Sequence, residues 1–230
     1  MALPRLNETP LYDVVIPSTG KAVKFRPFLV KEQKVLLMAV ESEQNDQMVN
    51  AVVDTILACI DEPIDPSTLT TFDVEYLFIS IRAASVGETT DLLFECVRCE
   101  TQNQHTVNLG AIEAPVPKKR TTKIKISPEI TVELSYPSYN SLPDRPEGYT
   151  GTDLIVGCLK KVQTKEESIV VADEPYEEIV AFLDSFTGKQ QEKLTEFIAD
   201  IPSVEYNSEF ICTNCEQENR VILKGLKSFF

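Results

Sequence analysis

Four of the six cysteines fall into two Cys-x-x-Cys pairs, and the residues around the pairs match. The first stretch is Phe94-Glu95-Cys96-Val97-Arg98-Cys99-Glu100, and the second is Phe210-Ile211-Cys212-Thr213-Asn214-Cys215-Glu216. In each, a phenylalanine stands two residues before the first cysteine and a glutamate follows the second. An asparagine comes next (Asn103, Asn219), then a strand-like run at 105–109 or 220–223. Strand, knuckle and strand are therefore repeated. Two thiols spaced by two residues can grip a metal from one tight turn, and two such turns complete a tetrahedral four-thiolate shell. Zinc is the expected ion and an iron–sulfur cluster the alternative, because thiolates suit both and only zinc is redox-inert.

Residues 100–211 separate the two pairs, whereas a simple zinc ribbon closes over a short loop. A single ion held by Cys96, Cys99, Cys212 and Cys215 would join the middle of the chain to its far end. The entropic cost of so long a closure grows only with the logarithm of loop length. Separate redox dithiols, disulfides and incidental buried cysteines remain as other readings of the pairs. The matched flanks favour two halves of one device.

Other chemistry is sparse. His105 is the sole histidine and lies on the run leaving the first knuckle, which suits a strand residue near the metal better than a general base. Cys59 and Cys158 sit in or beside apolar helical stripes and read as buried thiols. There is no Gly-rich phosphate loop, no His-Glu-x-x-His and no nucleophile elbow, so neither an enzyme nor a small-molecule substrate is indicated. The 22 basic and 36 acidic residues leave a net charge of −14, which argues against a general nucleic-acid binder. The exception is one basic cluster, Lys118, Lys119, Arg120, Lys123 and Lys125. It reads as a solvated strand face or as a docking patch for an acidic partner surface or phosphate groups. No run is apolar and long enough to span a bilayer and no signal peptide is legible, so synthesis in the cytosol is expected. There, Cys-x-x-Cys pairs favour metal or redox chemistry over structural disulfides.

The elements that must position the thiols follow from pattern. Two strand-like runs flank Pro17-Ser18-Thr19-Gly20 and predict a β-hairpin. A helix carrying Val35, Leu36, Leu37, Ala39 and Val40 follows, with Met38 and Met48 expected to fill gaps in the core. Apolar stripes predict helices over about 46–60 and from Thr70 or Thr71 through Ala84. Strands are expected at 91–95, 107–109, 130–134 and 168–172, and an irregular loop at 137–151; Tyr136, Tyr139 and Tyr149, which flank or occupy it, could anchor an interface or pack locally. Leu154, Ile155, Cys158, Leu159 and Val162 predict a short helix. Pro175 opens another, and Thr187 with Gln190 forms a capping box for the last. The apolar tail Leu226, Phe229 and Phe230 either folds back or faces a neighbour.

The segment Pro17-Ser18-Thr19-Gly20-Lys21, with Val23-Lys24-Phe25-Arg26-Pro27-Phe28-Leu29-Val30-Lys31-Glu32 and Leu36-Leu37-Met38-Ala39, resembles the opening of the T-even-type phage baseplate hub proteins. The paired knuckles and the chain length also resemble that family. The resemblance implies a structural virion part or an assembly factor of the central hub of a contractile tail, and brings no catalytic residue with it.

Together these readings predict an α+β fold: helical layers, short antiparallel β elements and a split zinc-ribbon-like four-cysteine site. Residues 1–90 would form a hairpin-plus-helices region, and 91–230 a β/helical region with knuckles at 91–110 and 206–225 closing one metal site. The expected function is a structural subunit or assembly factor of the baseplate hub. It would be made in the host cytoplasm and carried in the virion tail, with other hub or tail proteins as partners and self-association as a further option. A redox or iron–sulfur protein and a zinc-ribbon nucleic-acid module are the alternatives.

Overall fold

A computed structural model describes residues 9–42, 44–117, 122–141 and 150–225. Lys118, Lys119, Arg120, Tyr149 and the tail Leu226, Phe229 and Phe230 lie outside the described residues. Along the chain run β1 (Tyr12–Val15), β2 (Ala22–Phe25), α1 (Val30–Glu41), α2 (Asn45–Cys59), α3 (Thr71–Val86), β3 (Thr89–Glu95), β4 (Gln102–Asn108), β5 (Lys123–Lys125), β6 (Thr131–Leu134), α4 (Gly151–Cys158), β7 (Leu159–Gln163), β8 (Ser168–Val170), α5 (Tyr176–Asp184), α6 (Gly188–Ala199), β9 (Glu205–Ile211) and β10 (Glu218–Lys224). The class is α+β, and among the described residues every sheet pairing is antiparallel.

The chain divides into two compact units. One comprises Met1–Pro66, Phe72–Val116 and Ser203–Phe230, the other Ser67–Thr71 and Pro117–Pro202.

In the first unit β1 and β2 form the predicted hairpin, with Gly20 at φ 69° in its turn. The left-handed conformation there favours glycine, which has no Cβ to clash. The buried Asp73 carboxylate, in the first turn of α3, accepts the Ser18 N–H at 2.8 Å and holds that turn. Arg26 ties the hairpin to two helices: it donates to Glu32 Oε1 and to the Ala58 carbonyl, both at 2.9 Å. Glu32 Oε2 in turn accepts the Leu29 N–H at 2.8 Å, satisfying one of the orphan donors that a helix N-terminus leaves. Burial opposes ionisation of Glu32. The Arg26 guanidinium and the Leu29 N–H outweigh it and hold the carboxyl below its usual range. Ile79 of α3 packs in one apolar cluster with Val107, Val204, Val221 and Leu223.

Helix α1 departs from expectation. It buries Glu32, Leu36 and Ala39, while Met38 is 70% exposed and not a core gap-filler. Apolar residues lie on both its faces, so composition alone does not tell which one turns inward.

In the second unit the strands are ordered β5-β6-β7-β8, with α4, α5 and α6. Val132, Leu134, Ile155, Leu159, Leu194 and Phe197 are among its buried core residues, and Cys158 is buried with them. Cys59 is buried too, in the first unit, and burial pushes its thiol up to about 11. Tyr136 packs against Phe197 with the rings tilted and their centroids 6.1 Å apart, the local packing role rather than an exposed anchor. The Thr187–Gln190 box is present, Gln190 Oε1 accepting the Thr187 N–H at 2.8 Å.

The helix expected through Val162 stops at Cys158, and residues 159–163 form strand β7. Glu133 pairs with Lys161 but Leu134 pairs with Leu159, so Lys160 is an extra residue in the ladder. That bulge spaces the inward Leu159 and Val162 three apart, a helical interval produced by a strand.

Candidate metal centre

Each knuckle is the tip of a hairpin with the same register. β3 and β4 pair Phe94 with Asn103 and Glu95 with Gln102; β9 and β10 pair Phe210 with Asn219 and Ile211 with Glu218. The turns are closed alike. Cys96 N–H donates to the Thr101 carbonyl and Glu100 N–H to the Cys96 carbonyl, at 3.0 and 2.9 Å. Cys212 and Glu216 repeat this at 2.9 and 3.0 Å. Both Glu100 and Glu216 have φ 57°, a left-handed conformation that L side chains adopt at a cost.

The four thiols meet. Their sulfurs all lie within 4.8 Å of one another. Cys96 to Cys215 and Cys99 to Cys212 are each 3.6 Å apart, so sulfurs of opposite knuckles are in contact. A tetrahedral zinc with bonds of about 2.3 Å sets its sulfurs roughly 3.8 Å apart, so the group has the right dimensions. A disulfide needs about 2.05 Å, and all four cysteines are free. Cys96 and Cys212 are 1% exposed, while Cys99 and Cys215 are half-buried at the rim.

Two asparagines fasten the knuckles crosswise. Asn103, next to the first knuckle, accepts the Thr213 N–H of the second at 2.9 Å and directs its amide N–H at Cys212 Sγ, 3.6 Å away. Asn219, next to the second, accepts the Val97 N–H of the first at 2.9 Å and directs its amide at Cys96 Sγ, also 3.6 Å away. Both side chains are buried. Backbone N–H groups add to the field: Arg98 N lies 3.5 Å from Cys96 Sγ and Asn214 N 3.4 Å from Cys212 Sγ. Behind the thiols Phe94 and Phe210 stack at 6.2 Å, with His105 beside both rings and its Nε2 2.8 Å from Ser208 Oγ. The repeat marked the asparagines as a shared feature. Their partners, 110 and 122 positions away in sequence, could not be read from it.

The electrostatics suit a bound cation. The Thr101 hydroxyl and its backbone N–H pull the Cys99 thiol down to about 6. Burial disfavours the Cys96 thiolate, but the Arg98 and Cys99 N–H groups outweigh it and lower that thiol as well. The Gln217 N–H favours a thiolate at Cys215, yet burial and the sulfurs of Cys99, Cys96 and Cys212 push it up to about 12. Negative charge gathered on one side of the group thus resists ionisation on the other, and a divalent cation relieves that conflict.

The sequence model of the family described as T4 bacteriophage base plate protein matches residues 9–230, nearly the whole chain. The chain belongs to that family. No curated protein and no solved structure is detectably similar to it. Membership makes this base plate protein a component of a T4-type phage tail, points to a structural rather than an enzymatic role, and implies other phage proteins as partners. No helix among the described residues is long and apolar enough to cross a membrane.

Proposed function

We propose that this base plate protein is a structural subunit or assembly factor of the central hub of a contractile tail. Cys96, Cys99, Cys212 and Cys215 would hold one structural zinc ion in it. The reading of the hub rests on the N-terminal block from Pro17 to Ala39. The reading of the metal rests on the donor set: four free thiols of tetrahedral spacing, drawn from two knuckles that each carry the other's asparagine clamp. A four-thiolate zinc site has no vacant position, so it supplies cross-linking and no chemistry on a substrate. This chain's own part is to present the sulfurs as thiolates, shield two of them from water and fix the angle between the hairpins. The protein would be made in the host cytoplasm and join other hub and tail proteins at the tail baseplate.

Elemental analysis with a visible spectrum tests the metal, on protein purified without chelator and without air. One colourless zinc per chain is the expected result. Iron with sulfide would replace it with a cluster, and metal-free protein of unchanged stability would end the metal reading altogether. Cys96→Ala or Cys212→Ala should lose the ion and several kcal/mol of stability, since binding energy here is folding energy. For the hub, electron microscopy of phage grown without this protein should show baseplates that lack their centre. Complete baseplates would overturn the assignment.

A further inference from the structure

We propose that two copies of this chain associate through the outward face of α1. The helices would run antiparallel about a twofold axis between Leu37 and Met38. This goes beyond the family assignment, which names no surface and no copy number.

The helix buries Glu32, Leu36 and Ala39. Val30, Lys34, Leu37, Met38 and Glu41 recur at intervals of three, four or one and form a single stripe on the opposite side. Val30 is 66% exposed, Leu37 56% and Met38 70%. The solvent face of a surface helix is ordinarily polar, so three large apolar side chains there mark a face that another molecule covers.

Charge placement selects a second copy as the occupant. In a twofold contact, if residue i meets residue j then j meets i. With the axis between Leu37 and Met38, Leu37 faces Met38 of the partner subunit and Lys34 faces Glu41 of the partner subunit. The symmetry repeats both pairings. Two ion pairs then bracket a small apolar centre of two leucines and two methionines. Within the single chain Lys34 and Glu41 are both exposed, and neither forms an ion pair with a described residue. A parallel arrangement would set lysine against lysine, and an unrelated partner gives no reason for opposite charges spaced evenly about the apolar pair.

Sedimentation equilibrium of the full chain at micromolar concentrations and low salt tests the pairing. The chain should be a dimer. Lys34→Glu and Glu41→Lys alone should each weaken it about tenfold, because one substitution reverses two symmetry-related contacts. The double variant Lys34→Glu/Glu41→Lys should recover the original affinity to within about twofold, since it restores opposite charges in the same register. Leu37→Lys should give a monomer. All three substituted side chains are exposed in the single chain, so circular dichroism and Tm should stay unchanged throughout. A monomeric parent chain would overturn the proposal. So would a dimer indifferent to Leu37→Lys, or a double variant no better than the singles.

Discussion

Asn103 serves two groups at once, an amide N–H on the opposite knuckle and a sulfur beside it. Its two halves can be separated by substitution. Asn103→Ala removes both contacts and leaves the Thr213 N–H unpaired, which should cost about 1–3 kcal/mol in a denaturant melt. Asn103→Asp keeps the acceptor for Thr213 but replaces the amide N–H near Cys212 with negative charge. Stability should fall less than for alanine in the metal-free protein, while a chromophoric chelator should strip the ion faster than from either parent or alanine variant. A ranking with aspartate best at retaining metal would deny the N–H···S contact any role. Glu100 offers a second residue-scale test, since its φ of 57° suits glycine. Glu100→Gly should be neutral or stabilise by up to about 1 kcal/mol, whereas the β-branched Glu100→Val should destabilise by about 1–2 kcal/mol. The cysteines were legible in the sequence because a repeated pattern needs no knowledge of the fold. The asparagine clamps were not, because a hydrogen bond across 110 positions leaves no local trace.

The N-terminal hairpin and α1 are coupled through one carboxylate. Glu32 accepts from Arg26 and from Leu29, and its pKa in the fold lies below the ordinary value of 4.5. A depressed pKa contributes stability that is fully present above the unfolded value and is lost as pH falls through the folded one. Glu32→Gln should therefore be less stable than the parent at neutral pH, by about 1–2 kcal/mol. The gap should hold down to the unfolded value and narrow as acid protonates Glu32 below it. Urea melts between pH 7 and pH 3 would check this, and a gap that widened in acid would contradict the ion pair. Elements whose pattern matched their true period were legible: the hairpin, the three early helices and the Thr187 cap. Strand β7 was not, because the bulge at Lys160 gave its buried residues a helical spacing. The inward face of α1 was equally hidden, because Leu36 and Leu37 are alike in composition and differ only in what lies beneath them.

At the scale of the molecule, the two knuckle hairpins belong to one unit while residues 117–202 build another with its own buried core. Removing the metal should act on the first unit. Hydrogen exchange after chelation should rise across β3, β4, β9 and β10, while amides of β6, β7 and α6 keep their protection. Uniform loss of protection would mean that the two cores unfold as one. The sequence showed both hairpins but not that the intervening segment has a separate core, because apolar periodicity marks which side of an element is buried and not against which neighbour. The interruption also orders events in time. Translation delivers Cys96 and Cys99 long before Cys212 and Cys215, and each knuckle holds the asparagine that clamps the other. A ribosome still copying the intervening segment therefore carries half a centre with neither clamp engaged, and a chain cut short there never finishes it. Loading of the ion would then certify that both halves had been made, and an assembly line that accepts only the rigid form would reject fragments without any separate inspector.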